Sequence, residues 1–424
     1  MKKLIILYWY LYYKRLKFES REKLVKYQSK KLKKLLKYVS KHSEYYKHSV
    51  SKDEPQLETI PVIGKEEQQS NFDKINTCKI RYDEAMHVAI GCETQHDWTY
   101  KLDGYTVGLS SGTTGKRSLW VLSDREIYQW AGFVLARMLP GSILNRYKIA
   151  FFMRSDSNLY ESIGKGGMQF KFISVHDDLY KVNLDLMSWK PDIVVGPPSV
   201  LSRVFELKPE KVITISEVLE KAEEETIKKN FGVERVYQVY QCTEGILGLT
   251  NKDGKFVFNE ELYKIEPEYI DNDRWSPVIT DLNRRTQPMI RTRMTDIVIG
   301  RHDDKSDEPR IIIDHIEGRK DDILYFNNKY GEEVSVYPDA IRKLMLIANV
   351  KWYMVVQEEF GEITIYCKPE HIKDIGFALK RMKEYIGYTD ETAPVILVTK
   401  YRRYDTEVNN MKKFRRIYRQ WTRG

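Results

Sequence analysis

The sequence predicts an α/β protein in two parts, a large N-terminal ligand-binding domain and a small α+β C-terminal domain beyond a hinge. Three observations lead there. Between about residues 100 and 300, short runs rich in Val, Ile, Phe and Tyr alternate with helical stretches, and run after run ends in a polar loop. After Gly318 the texture changes to a compact β-α-β-β-α-β-like order. A chain of 424 residues is also long enough to bury a large core and fill two or three domains.

Composition narrows the functional class. With 42% hydrophobic and 31% charged residues the chain reads as ordinary and globular, and its 29 tyrosines argue against disorder. A net charge of +9 favours anionic ligands but is too modest to define a nucleic-acid binder, so no nucleic-acid partner is expected. Cys78, Cys92, Cys242 and Cys367 lie far apart and form no Cys-x-x-Cys pair. That pattern fits a reducing cytoplasm and argues against disulfides or structural zinc.

The elements follow in order. Met1-Lys2-Lys3 precedes an apolar, aromatic run over residues 4–13 that is too short to span a bilayer and lacks a small-residue cleavage site. It reads as an amphipathic helix, either docked on the protein or lying on a membrane surface. Residues 14–50 read as one long basic helix, with Leu24, Tyr27, Leu32, Leu35, Leu36 and Val39 at helical spacing. Residues 1–50 thus form an N-terminal basic, aromatic helical segment, and residues 51–318 the large domain. Within it, strands are predicted at 149–153, 192–196, 212–215 and 236–240, the last running into Thr243-Glu244. The small domain, 319–424, holds a hairpin over 323–336 and a helix from Pro338. Two strands then flank Gly361-Glu362, a helix starts near His371, a strand covers 394–399, and the tail is basic.

Four segments carry candidate chemistry. Ser110-Ser111-Gly112-Thr113-Thr114-Gly115-Lys116 offers backbone N–H groups and hydroxyls that can close around a polyphosphate. It is not a Walker A loop, and by itself would equally suit a flexible surface turn. Thr243-Glu244 follows a buried strand, where a carboxylate can take one Mg²⁺ position; a helix cap is the alternative. Asp296 ends Arg291-Thr292-Arg293-Met294-Thr295 and has two acceptor oxygens suited to a ribose diol, or to an ion-pair cluster. Gly318-Arg319-Lys320-Asp321-Asp322 sits where the texture changes and a hinge belongs.

In this order the four segments resemble those of the adenylate-forming superfamily of acyl-CoA synthetases, luciferases and peptide-synthetase adenylation domains. Residues 110–116 look like its phosphate loop, without the usual x-Pro-Lys ending, so that Lys116 or Arg117 would supply the cation. Tyr240-Gln241-Cys242-Thr243-Glu244-Gly245 is similar to its aromatic-x-x-Thr-Glu motif. Arg293 to Asp296 is similar to its Thr-Gly-Asp motif, with Met294-Thr295 in place of Thr-Gly, and Gly318 to Asp322 matches its Gly-Arg-x-Asp-Asp hinge. The likeness covers roughly residues 20–420. It is strongest to the phenylacetate–CoA ligase-like branch, in particular to relatives of the synthetase that adenylylates a deazaflavin coenzyme, which also share the segment around Glu217.

The resemblance implies ATP-dependent activation of a small carboxylate as an acyl-adenylate, pyrophosphate release, and acyl transfer to CoA, a carrier-protein thiol or another nucleophile. ATP and Mg²⁺ are the implied cofactors, with Glu244 as the metal ligand and Thr243 beside it. Ser110 to Lys116, Glu217, Tyr240, Gln241, Asp296 and Arg319 are the implied nucleotide contacts, and Asp321 is the hinge. The superfamily's C-terminal lysine corresponds best to Lys413, with Lys412 as the fallback, because Lys412 stands where Gly is usual. Transfer of AMP to a phenolic hydroxyl and a non-catalytic ATP-binding or membrane-associated scaffold remain the competing readings.

Overall fold

The structure is a computed structural model that describes residues 2–49, 56–95, 97, 99–110, 117–153, 167–175, 177–301, 306–350, 353–367, 369–388, 399–403 and 416–421. The chain divides into two compact units. The first comprises 1–268, 277–294 and 300–314, and the second 269–276, 295–299 and 315–424.

The first unit opens on two helices, α1 (Lys2–Arg15) and α2 (Arg21–His42), where one long helix from residue 14 is expected. The break has a local cause: the Ser20 hydroxyl accepts from Lys23 N–H and caps a fresh helix start. α1 buries Ile6, Tyr10 and Tyr13, and Gln129 Nε2 donates to the Tyr13 hydroxyl at 2.7 Å. Gly132 makes the close approach possible, since a Cβ there would meet Trp9 Cβ at 2.4 Å. α2 buries Leu35, Leu36 and Val39 against Ile60, Ile63, Ile75 and Ile290. Three helices follow: α3 (Lys65–Ser70), α4 (Phe72–Ile75) and α5 (Tyr82–Gln95). A hairpin of β1 (Thr106–Leu109) and β2 (Leu119–Leu122) leads to α6 (Asp124–Met138), on which α1 packs.

The heart of this unit is a parallel sheet of β3 (Tyr147–Met153), β4 (Met168–Ser174), β5 (Ile193–Gly196), β6 (Lys211–Thr214) and β7 (Val236–Cys242). Its order, β4-β3-β5-β6-β7, is that of a doubly wound sheet whose direction of growth reverses between β3 and β5. Every residue of β5 and β6 is buried, as strands covered on both faces must be. Ala150, Phe152, Val194 and Val212 pack with Leu186 of helix Leu179–Trp189 and with Ile227 and Phe231 of helix Lys221–Phe231. Beyond β7 the sheet turns antiparallel through β8 (Gly245–Thr250) and β9 (Phe256–Phe258). Further strands are β10 (Tyr263–Tyr269), β11 (Arg274–Asp281), β12 (Thr292–Arg293), β13 (Asp296–Arg301) and β14 (Ile312–Arg319).

The second unit contains the expected hairpin, β15 (Leu324–Asn327) with β16 (Glu333–Val336), followed by helix Pro338–Ile347. β17 (Tyr353–Glu359) and β18 (Glu362–Cys367) turn at Gly361, and helix Ile372–Ile386 follows. β19 (Thr399–Arg403) and β20 (Ile417–Arg419) complete the order β19-β18-β17-β20. Of the strand predicted over 394–399, Thr399 opens β19, and residues 394–398 lie outside the described ones. Leu324, Phe326, Ile341, Val355, Ile365, Ile375 and Met382 form this unit's core. The buried amide of Gln357 accepts from Tyr325 N–H at 3.0 Å and donates to Tyr325 O at 2.8 Å, joining hairpin to sheet.

Glu126 organises the first unit beyond its own helix. It closes a capping box with Ser123 and also accepts from the backbone N–H groups of Arg285 (2.6 Å) and Thr286 (2.9 Å). Burial raises its pKa, but the surrounding donors outweigh that and hold it below the usual range. Its stabilisation is therefore present above the unfolded carboxyl pKa of about 4.3 and lost as pH falls through the lower folded value. Glu126→Gln is expected to lower stability near neutral pH by about 2–3 kcal/mol. Urea unfolding should show that gap narrowing in acid, and a gap independent of pH would exclude the linkage.

Candidate functional site

β7 leads directly back into β8. Cys242 pairs with Gly245, leaving Thr243 and Glu244 as a two-residue turn. The Thr-Glu pair is thus a strand-end turn, and the helix-cap alternative falls. Gly245 sits at φ +136°, and a Cβ there would lie 2.1 Å from the Tyr263 hydroxyl, so a side chain is excluded twice over. A register shift between Tyr240 and Gln241 kinks β7 just before the turn. Tyr240 is buried edge-on to Phe258, whereas Gln241 is exposed.

Glu244 retains only 4% of its exposure. Its Oε1 lies 2.8 Å from Nζ of Lys65, the first residue of α3. The segment before Lys65 is pinned in place: Ile63 N–H donates to Arg291 O at 3.1 Å and Arg293 N–H to Ile63 O at 2.9 Å. Burial pushes the Glu244 carboxyl up, but the Lys65 charge and the hydrogen bonds outweigh it, holding the group ionised below the usual range. Its other oxygen, Oε2, is buried and accepts no hydrogen bond. An ionised carboxylate with one bare oxygen suits a hard divalent cation such as Mg²⁺. Among the described residues no group of three or more His, Cys, Asp or Glu could hold a metal.

Lys65 escapes a sequence reading. The one local oddity is a lysine in the first turn of a helix, where the dipole disfavours a cation.

β5, β6 and β7 run parallel and so end along one edge, which gathers further predicted residues. After β6, Ile215 N–H donates to Gly196 O at 3.1 Å and Ser216 takes a left-handed φ of +70°. The next residue, Glu217, accepts through Oε2 from Ser199 N–H at 3.3 Å, stitching the β5 and β6 loops together. Ser110 closes the base of the β1–β2 hairpin, donating its N–H to Ser118 O at 2.8 Å and accepting from Ser118 N–H at 2.7 Å. Arg117, one of the two cations considered for the phosphate, forms a two-pronged ion pair with Glu93 at 2.6 and 2.5 Å. Ser111, Gly112, Thr113, Thr114, Gly115 and Lys116 lie outside the described residues, as do Lys412 and Lys413.

The second unit holds the remaining predicted residues together. Asp296 opens β13 with its Oδ1 3.6 Å from Arg319 Nε, and Lys320 N–H donates to Thr295 O at 2.7 Å. Asp321 is half-buried in the 3₁₀ turn Lys320–Asp322 that follows β14.

No family model matches the sequence, and no curated protein is significantly similar to it. Solved structures are similar in fold. A 2-hydroxyisobutyryl-CoA ligase in its postadenylation state, complexed with R3-HIB-AMP, superposes with a TM-score of 0.66 at 13% identity, over 92% of this chain and 88% of the other. The same ligase with 2-HIB-AMP gives 0.63 at 13% identity, over 92% and 88%. With 2-HIB-AMP and CoA in the thioesterification state it gives 0.56 at 16% identity, over 94% and 90%. This chain therefore has the mixed α/β architecture of adenylate-forming ligases, with a large multi-stranded sheet and a smaller C-terminal α+β region.

Removing the cation should expose the cost of burying Glu244. Lys65→Met is expected to destabilise the fold by roughly 2–3 kcal/mol near neutral pH, less than for a fully buried pair because Lys65 is about a third exposed. With burial unopposed, the folded carboxyl pKa would rise above the unfolded value. The loss should then be absent in acid and appear as pH climbs through that interval, the same direction as for Glu126→Gln but extending to higher pH. Thermal melts across pH measure it, and a pH-independent loss would show that Lys65 does not hold the carboxylate ionised.

Proposed function

We propose that this chain activates a carboxylic acid with ATP, forming an acyl-adenylate and pyrophosphate, and then passes the acyl group to the thiol of CoA. The observation that carries the reading is Glu244: an ionised, buried carboxylate with a bare oxygen, at the end of the last parallel strand and on the edge where doubly wound sheets bind ligands. The fold shared with ligases captured in adenylate and thioester-forming states supports it.

In the first step a carboxylate oxygen of the acid bonds to the α-phosphorus as the bond to the bridging oxygen breaks and pyrophosphate leaves. Anions meet there, so cations and donors must already be in position. We assign the backbone and hydroxyls of Ser110 to Gly115 to the phosphates, with Lys116 as their cation. Asp296 and Arg319 take the ribose, and Glu217, Tyr240 and Gln241 border the adenine. Lys413, with Lys412 as the alternative, offsets charge on the attacking carboxylate and the α-phosphate. Glu244, steadied by Thr243, would hold Mg²⁺, which offsets charge on the departing pyrophosphate. In the second step the thiol sulfur bonds to the acyl carbon and AMP departs; a hinge at Asp321 would re-aim residues 319–424 between the steps.

The finer assignments rest on motifs. The segments around Glu217 and Gln287-Pro288-Met289-Ile290-Arg291 support the phenylacetate–CoA ligase-like branch and its deazaflavin-coenzyme relatives. Cys78, Cys92, Cys242 and Cys367 as free thiols support a reducing, cytoplasmic setting. The test is pyrophosphate–ATP exchange driven by a panel of carboxylic acids, followed by thioester formation with CoA or a carrier-protein thiol. Glu244→Gln and Lys413→Ala should each slow exchange about a hundredfold. Exchange that survives loss of both Lys412 and Lys413 removes the lysine assignment. AMP retained covalently on a phenol would replace this reading with adenylyl transfer, and the lack of any nucleotide-dependent thermal shift would end it.

A further inference from the structure

We propose that the outer face of α1 docks on an anionic lipid bilayer, so that this ligase fold works as a peripheral membrane protein. The proposal stands on the first unit alone and is independent of the chemistry assigned to Glu244.

α1 has two apolar faces, and the protein uses only one. The inner face, Ile6, Tyr10 and Tyr13, is sealed on α6 by the close approach at Gly132 and the hydrogen bond to Tyr13. On the opposite side Leu4, Tyr8 and Leu11 stand at i, i+4 and i+7 and remain 69%, 60% and 41% exposed. Leu144, 86% exposed, lies in a turn tied to α1, where Ile143 N–H donates to the Tyr10 hydroxyl and Lys14 to Gly141 O. Leucines flanking an exposed tyrosine are what the headgroup–acyl boundary accommodates.

Charge identifies the occupant. The first 18 residues contain no Asp or Glu, while Lys3, Lys14 and Arg15 rim the apolar stripe and are themselves exposed. Residues 2–42 carry fourteen Lys and Arg against only Glu19 and Glu22, a surplus of twelve. Since the whole chain is net +9, the residues outside this segment sum to a net negative charge. Each cation near an anionic leaflet strengthens attachment by roughly fivefold, within about a Debye length. An apolar stripe inside a one-sign basic field matches an anionic bilayer better than a protein surface, whose apolar patches are ringed by both signs. The geometry also fixes the mode. A 14-residue helix is about 21 Å long against a hydrocarbon core of about 30 Å, and among the described residues no helix is long and apolar enough to cross a membrane. With its inner face held on α6, α1 can only lie in the plane of the interface.

The experiment is co-sedimentation of the full chain with vesicles of phosphatidylcholine alone or with about one-third phosphatidylglycerol, at low and high salt. Wild type should sediment with the anionic vesicles, lose binding as salt rises, and ignore the neutral ones. Leu4→Ser/Tyr8→Ser/Leu11→Ser alters only the outer face, so its melting temperature should match wild type while binding weakens about tenfold or more. Lys3→Gln/Lys14→Gln/Arg15→Gln should also lose binding. Three outcomes overturn the proposal: no binding of wild type to anionic vesicles, equal binding by the serine variant, or a self-association in solution that the serine variant abolishes, which would make a second copy of this chain the occupant.

Discussion

Parallel strands linked by crossover helices all finish along the same edge, and the candidate site of this protein depends on that constraint. β5 and β6 are buried on both faces, and β5, β6 and β7 run in parallel register, so the loops after them have one place to go. Two of those loops, carrying Ser199 and Glu217, hydrogen-bond to each other. The third is compressed to two residues because β7 pairs immediately with β8, which leaves Glu244 no slack in where it is presented. The sheet thereby fixes a set of polar groups far apart in sequence, a prerequisite for positioning reacting groups ahead of the chemistry.

Presenting a carboxylate at a buried edge creates an electrostatic problem. An unpaired charge at 4% exposure would take up a proton, and a neutral acid is a poor cation ligand. The Lys65 ammonium solves it from α3, a helix held to the chain near β12 by reciprocal backbone hydrogen bonds. Elsewhere in the first unit the same problem is solved without a counter-charge: Glu126 is kept ionised by hydroxyl and backbone donors. The difference matters. Glu126 spends its oxygens on those donors, whereas Glu244 keeps Oε2 without a hydrogen bond.

The N-terminal helices answer to other forces. α1 is apolar over most of its circumference, and a monomeric globular chain can bury only the half that meets its own core. α2 is a conventional amphipathic helix whose buried stripe reaches Ile63, two residues before Lys65, so the helix bearing the densest basic charge also braces the segment that carries the site's cation.

Much of this was legible from letters. The strand at 149–153 announces itself as an unbroken apolar run, those at 192–196 and 236–240 as short runs rich in Val, Ile and Tyr, and the Pro338 and His371 helices by periodicity after the change in texture at Gly318. The Thr-Glu turn and the Asp296–Arg319 neighbourhood were marked by motif. The break between α1 and α2 was not, because basic amphipathic sequence reads as continuous helix and a single capping serine decides otherwise. Lys65 was invisible for a deeper reason. Local pattern encodes periodicity and turn chemistry, which are properties of neighbours along the chain; the protonation state and solvent exposure of Glu244 depend on a residue brought in from another helix. Sequence alone therefore determined which segments are strands, which are helices and where a carboxylate stands, whereas tertiary structure decided that this carboxylate is buried, what balances its charge and which face of α1 is left bare. Burial and Coulomb energy depend on distance in space, and that is set only once the sheet has closed its register.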